Sequence, residues 1–191
     1  MRIISGRFRG HRLHTFKGLQ VRPTADRVRE SLFNIIASGA MNAHVLDLFA
    51  GTGALGIEAL SRGAETAVFI DNSTSALTLL RKNLAHCHLR DGIRIIQWDI
   101  ARNLGCLGNY GNHFNLVFMD PPYHKGLIPL VMGHLLQSQC LAPGALIVAE
   151  HEAGIQPAID DVQLMQTDYR CYGHTGLSFF LFRPDMAAGS I

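Results

Sequence analysis

The sequence predicts an α/β fold built around a mostly parallel sheet. Three observations carry this prediction. Beyond Gly39, short apolar runs of strand length alternate with stretches of helical period. The first of those runs opens into the glycine-rich turn Gly51-Thr52-Gly53, and the chain closes on two strand-like runs with no helix between them.

Taken in order, residues 1–22 alternate basic and apolar positions around Gly6, Gly10 and Gly18, which predicts a short β-hairpin or extended arm. Pro23-Thr24 opens a helix with Thr24 as N-cap and an apolar stripe of Val28, Leu32, Phe33, Ile35 and Ile36. Arg22, Arg27 and Arg29 are expected on its other face. Strands are predicted at residues 45–49, 66–70, 93–98, 116–119 and 145–149, and helices at 54–61, 75–85 and 127–137. Residues 162–172 and 177–182, joined through Gly173-His174-Thr175-Gly176, predict a closing antiparallel hairpin. The chain thus divides into an arm-and-helix extension, residues 1–39, and a main α/β unit, residues 40–191.

Bulk composition narrows the class. At 191 residues and 48% hydrophobic content, the chain suits one domain with a short appendage. Its amino terminus lacks the apolar run of a secretory signal, and no window approaches the roughly 18 apolar residues of a membrane span, so a cytoplasmic protein is expected. Cys87, Cys106, Cys140 and Cys171 are far apart, which predicts reduced thiols, neither disulfides nor a zinc site. Among ten histidines only His86 and His88 fall close together, and no metal is expected. Residues 1–30 hold eight of the 17 Lys and Arg but two of the 15 acids, so this segment carries +6 and the remainder −4. Such a segment, with Arg7, Arg9, Arg12, Arg22 and Arg27 as the candidate contacts, suits the phosphates of a nucleic acid.

The first strand runs from Asp47 through Phe49 into Gly51, Gly53 and a helix, so a ligand is expected across that turn. Asp71, with Asn72 beside it, ends the second strand 20 residues after Gly51, well spaced to accept ribose hydroxyls. This spacing alone fits a dinucleotide site as well. Asp47 favours S-adenosylmethionine, because a carboxylate aimed at the pocket suits the donor's ammonium and sulfonium better than a pyrophosphate. Asp99, with Ile100, follows the third strand and could accept from the adenine amino group or simply cap the strand end.

The fourth strand delivers Asp120-Pro121-Pro122-Tyr123 to the carboxyl edge of the sheet. Pro121 and Pro122 stiffen the loop and lack N–H groups, so their carbonyls stand as acceptors without competing donors. An exocyclic base amine is a poor nucleophile because its lone pair is delocalised into the ring. Acceptance of its N–H bonds by the Asp120 carboxylate and the Pro121 carbonyl would localise that lone pair toward the donor methyl, with Tyr123 stacked on the base. The base must be single-stranded or flipped out.

Further motifs carry a family resemblance: residues 2–10, the run Arg22-Pro23-Thr24-Ala25-Asp26-Arg27-Val28-Arg29-Glu30-Ser31-Leu32-Phe33-Asn34, residues 47–56, residues 58–64 and Asp120 to Tyr123. The chain resembles, almost end to end, the RsmD-type bacterial 16S ribosomal RNA guanine-N2 methyltransferases. The resemblance implies a Rossmann-like class I S-adenosylmethionine-dependent methyltransferase fold with a seven-stranded sheet. It also implies methylation of one guanine in 16S ribosomal RNA on an assembled or assembling small subunit, with S-adenosylhomocysteine as product. In this reading residues 1–39 are an RNA-binding extension and residues 40–191 the methyltransferase domain, and nothing demands more than a monomer. Asp71 stands where Glu is more usual, and Tyr123 where relatives can carry Phe. The alternatives are a DNA adenine-N6 or cytosine-N4 methyltransferase, a non-catalytic RNA-binding ribosome assembly factor, and a dinucleotide oxidoreductase, for which the Asp120–Tyr123 loop offers no use.

Overall fold

The computed structural model describes residues 1–16, 23–111, 113–123 and 126–184, with Pro23, Thr24 and Ala25 described as backbone alone. One seven-stranded sheet forms the middle layer. Its strands are β1 (His44–Leu48), β2 (Thr66–Asp71), β3 (Ile93–Gln97), β4 (Phe114–Met119), β5 (Leu141–Glu152), β6 (Leu164–Tyr172) and β7 (Thr175–Phe182), in spatial order β3-β2-β1-β4-β5-β7-β6. The pairs among β1 to β5 are parallel, and β7 runs antiparallel to both β5 and β6. The helices are α1 (Pro23–Ile36), α2 (Ala54–Ser61), α3 (Thr74–His86) and α4 (Leu127–Ser138).

The central strands read as near-continuous apolar runs because both faces of the sheet are covered. Alternate residues feed two cores. Val45, Phe69, Phe118, Val148 and Phe179 pack with Val28, Leu32 and Phe33 of α1, Ile57 of α2 and Leu77 and Leu80 of α3. Leu46, Ile70, Val117, Met119, Ile147 and Phe180 pack with Ile128, Val131 and Leu135 of α4. From β1 the chain builds outward to β3, then returns through β4 to build the other side. The carboxyl ends of β1 and β4 therefore flank the point where winding reverses, which is where open α/β sheets hold ligands.

Residues 1–13 fold back as an arm, with an Arg2–Arg12 antiparallel bridge and an Ile3 N–H to His11 carbonyl bond of 2.9 Å. Ile3 and Leu13 are buried in the same core as α1 and α2.

Several local expectations shift. Pro23 is the first helical residue, so Thr24 lies inside α1 and is not its N-cap; proline suits that position because its missing N–H has no helical partner there. Ile35 is 36% exposed and leaves the buried stripe, while Arg29 is buried and not on the solvent face. Strand β5 is longer at both ends than residues 145–149, reaching back through a register shift that pairs Phe114 with Leu141. The closing turn narrows to Gly173-His174, with Gly173 at φ +61°, because Thr175 and Gly176 already pair with Tyr172 and Cys171. Among the described residues no group of three or more His, Cys, Asp or Glu could hold a metal ion, and no helix is long and apolar enough to cross a membrane.

Candidate active site

The turn after β1 is held by its own backbone and by two carboxylates. Ala50 N–H donates to the Ile70 carbonyl at 3.0 Å and Gly53 N–H to the Ala50 carbonyl at 2.7 Å. Asp71 Oδ2 accepts from Gly51 N–H at 2.9 Å and its Oδ1 from Ser73 N–H at 2.8 Å. Asp47, 2% exposed, accepts from Gly56 N–H at 2.9 Å through Oδ2. Gly53 adopts φ +78°, and a Cβ there would lie 2.3 Å from Leu80 Cδ1; one on Gly56 would lie 2.3 Å from the Phe69 ring. At Gly51 the nearest atom to a Cβ is the Phe49 carbonyl oxygen at 3.8 Å, so that face of the turn is open to a ligand. Phe49 itself has φ +61°.

Burial, then the nearby Asp71 charge, pushes the Asp47 pKa from 3.8 up to about 8, with the Gly56 N–H pulling the other way. The folded state thus holds this proton to higher pH than the unfolded chain, and stability is lost as pH rises from about 4 to about 8. Asp47→Asn, neutral in both states and still able to accept from Gly56, removes that loss. We expect its unfolding free energy to exceed that of the ligand-free wild type by an amount that grows across this window, on the order of a few kcal/mol at its top, as read by denaturant melts at each pH. A constant difference between pH 4 and 8 would overturn the assignment.

Elsewhere on this edge, Asn72 is exposed and its carbonyl accepts from Gln97 Nε2 at 3.2 Å. Asp99 is exposed, and its Oδ1 accepts from Ala101 N–H at 3.2 Å, the strand-end role left open by the sequence; its other oxygen lies 3.7 Å from Arg102 Nε. Ile100 is buried, with its carbonyl 3.1 Å from His134 Nδ1.

Across the switch point, Asp120 follows the last paired residue of β4 and Glu150 extends β5 beside it, since Met119 pairs with Ala149. Asp120 is open at the mouth of the crevice. Even so, desolvation by the surrounding protein, then the Glu150 and Asp47 carboxylates, raises its pKa well above 3.8. Burial likewise raises Glu150, opposed by the Tyr123 hydroxyl, which donates to Glu150 Oε1 at 3.0 Å. Burial and the Glu150 charge hold the Tyr123 proton in place. Pro121 is buried and Pro122 exposed. Together with Tyr123, Glu150, Ile155 and Pro157 they line an apolar pocket of about 230 Å³.

The basic arm docks on the far end of α2. Glu58, 1% exposed, accepts from Ile4 N–H at 2.8 Å, Ser5 N–H at 3.0 Å and Arg62 Nε at 2.8 Å. Arg29 Nε lies 3.7 Å from Glu58, and Arg29 also donates to the Arg2 carbonyl. Ser61 grips the Ser5 to Phe8 backbone, and Gly6 is required there because a Cβ would fall 1.9 Å from the Ser61 carbonyl oxygen. Asn83, fully buried, ties His14 to the glycine turn by donating to the His14 carbonyl at 3.1 Å and the Thr52 carbonyl at 2.9 Å. This leaves Arg7, Arg9 and Arg12 exposed, Arg7 lying 4.4 Å over the Phe8 ring, and Arg27 exposed on α1. Arg22 lies outside the described residues. Sequence reasoning missed Glu58, Asn83 and Glu150. Glu58 sits in an otherwise apolar stretch, and that isolation was the available signal; Asn83 follows Arg81-Lys82 and Glu150 precedes His151-Glu152, so neither stands out locally.

The family model described as Conserved hypothetical protein 95 matches residues 1–181. This chain belongs to the RsmD-type family. Two relatives illustrate the breadth of that family. Ribosomal RNA small subunit methyltransferase D of Escherichia coli (strain K12) is 40% identical over 152 residues, covering 80% of this chain and 75% of the relative. YlbH of Bacillus subtilis (strain 168) is 35% identical over 180 residues, covering 94% and 98%. A solved Escherichia coli structure, yhhF, superposes with a TM-score of 0.83 at 35% identity, covering 96% of this chain and 98% of that one. The family-model match runs through the arm, the glycine turn and the Asp120 loop together, so the extension and the sheet form one unit of likeness.

Proposed function

We propose that this chain transfers the methyl group of S-adenosylmethionine to the exocyclic N2 amino group of a specific guanine in 16S ribosomal RNA. It acts as a cytoplasmic monomer on the small subunit or an assembly intermediate. One observation carries this reading: the Asp120 carboxylate, followed by Pro121 and Pro122 whose carbonyls accept without N–H groups of their own, stands across the sheet's switch point from a glycine turn open at Gly51. The name of the Escherichia coli relative, a ribosomal RNA small subunit methyltransferase, supports the substrate class.

The residues fit the donor. Gly51 leaves room for close approach, Asp71 retains lone pairs for ribose hydroxyls beyond its two backbone bonds, and Asp99 faces solvent on the same edge. A cation beside Asp47 would favour its ionised form. Bound there, the donor supplies an electrophilic methyl group. Asp120 and the Pro121 carbonyl accept the N–H bonds of the base amine, and the Tyr123 ring stacks on the base. Asp120 and the Pro121 carbonyl would thereby hold the nitrogen lone pair toward that methyl group, and Asp120 or water would take the proton that the amine gives up.

Labelled donor offered in parallel to naked 16S RNA, small subunits and DNA tests this reading. We expect N2-methylguanine in ribosomal RNA by mass spectrometry. N6-methyladenine or N4-methylcytosine in DNA would replace it with the DNA reading, and absence of label in every substrate with the assembly-factor reading. Reversal of Arg7, Arg9 and Arg12 to Glu should weaken RNA or subunit binding by about tenfold or more at moderate salt while donor affinity stays unchanged. Equal weakening of both would make the arm structural.

A further inference from the structure

We infer that Glu150 reads the target base, selecting guanine by accepting its N1–H. The inference rests on the guanine-N2 reading above and names the residue that makes it specific. Nothing in the acceptor loop alone distinguishes guanine from adenine or cytosine, because all three carry an exocyclic amine. They differ at the neighbouring ring nitrogen. In guanine N1 carries a hydrogen next to the 2-amino group, whereas N1 of adenine and N3 of cytosine are bare acceptors beside their amines.

Glu150 stands where that difference can be felt. It lies beside Asp120 through the β4–β5 register, one residue beyond the pair Met119 and Ala149. It lines a mostly apolar pocket that includes Pro121, Pro122, Tyr123, Ile155 and Pro157, with Glu152 further along the same wall. A carboxylate in so apolar a pocket needs partners. The Tyr123 hydroxyl occupies Oε1 at 3.0 Å, and among the described residues no hydrogen bond reaches Oε2. Tyr123 therefore fixes the orientation of the carboxylate while leaving one oxygen to accept. A base whose amine is held by Asp120 and the Pro121 carbonyl presents its adjacent ring nitrogen toward β5. An N1–H is satisfied there, and a bare nitrogen faces a carboxylate lone pair, an arrangement that rejects the wrong base as well as holding the right one.

The test uses 16S RNA assembled by ligation with either guanine or 2-aminopurine at the mapped target nucleotide. 2-Aminopurine keeps the 2-amino group and has a bare N1. Wild-type protein should show kcat/KM lower by about 10- to 100-fold on 2-aminopurine. Glu150→Gln, whose amide can turn either its oxygen to N1–H or its NH2 to a bare N1, should narrow that preference to within about threefold. Competition binding of the two RNAs reads the same ratio if the variant turns over slowly, and its donor-bound melting temperature reports folding. Equal use of both bases by wild type, or full preference retained by Glu150→Gln, would overturn the inference. If the wild-type product on the guanine RNA is not N2-methylguanine, the underlying reading falls first and takes this one with it.

Discussion

Asp120→Ala is expected to lower kcat by about 10³-fold or more while leaving S-adenosylmethionine affinity within about tenfold. The split follows from position. The glycine turn is held by Asp47 and Asp71 through Gly56 and Gly51, and none of those bonds involves Asp120. Asp120 belongs to the loop after β4, where its carboxylate is assigned to the amine of the base. Loss of that acceptor leaves the lone pair delocalised, so chemistry fails after both substrates have bound. The raised pKa adds a second readout. Because desolvation, then Glu150 and Asp47, holds the Asp120 proton to higher pH, turnover should fall as pH drops through that raised value. Glu150→Gln removes one of the charges responsible and should move this acid limb to lower pH. Undiminished turnover by Asp120→Ala, measured with labelled donor, would sink the assignment, and a limb shifted upward by Glu150→Gln would contradict the electrostatics.

Glu58→Ala should be the most destabilising single change on the arm side, by about 3–5 kcal/mol. Its carboxylate satisfies two arm N–H groups and the Arg62 side chain, and it balances buried Arg29. Burial already lowers the Arg29 pKa, opposed by the Asp26 and Glu58 charges, so removal of Glu58 leaves a buried cation poorly matched. A loss of this size corresponds to a melting temperature lower by roughly 10 °C for a domain of this length. RNA affinity should fall as well, because Ile4 and Ser5 are then no longer held to α2 and the exposed arginines lose their mounting. A melting temperature within about 2 °C of wild type would show that the Ser61 and Asn83 contacts suffice to hold the arm.

Much of this protein was legible locally. The bounds of α2, Ala54–Ser61, match those read from its helical period, and β1, β2 and β3 fall within a residue of the apolar runs that announced them. Asp47, Gly51, Gly53 and Asp71 come together as their spacing implied, because a strand, a tight turn and a helix are short-range structures whose geometry is set by neighbours in sequence. Asp120 also arrives at the predicted edge, since a parallel sheet brings every strand's carboxyl end to one side. Less legible were the limits of β5, whose early residues Ala142, Pro143 and Gly144 lack an apolar alternation and lie in the irregularity between the pairs Leu141–Phe114 and Leu146–Leu116.

By itself, then, the sequence determined the strand–turn–helix units and the side of the sheet on which the acidic and glycine residues meet. Only the tertiary structure decided which charges are inside. Arg29 read as solvent-facing by helical period, but it meets Glu58 from a different helix across the buried foot of the arm. Glu150 fell one residue past the strand read at 145–149, but β4 and β5 pairing sets it beside Asp120 and under the Tyr123 hydroxyl. The reason is physical. Periodicity reports the face a residue occupies, whereas the partner that makes burial of a charge tolerable comes from a distant segment and exists only once the layers have packed.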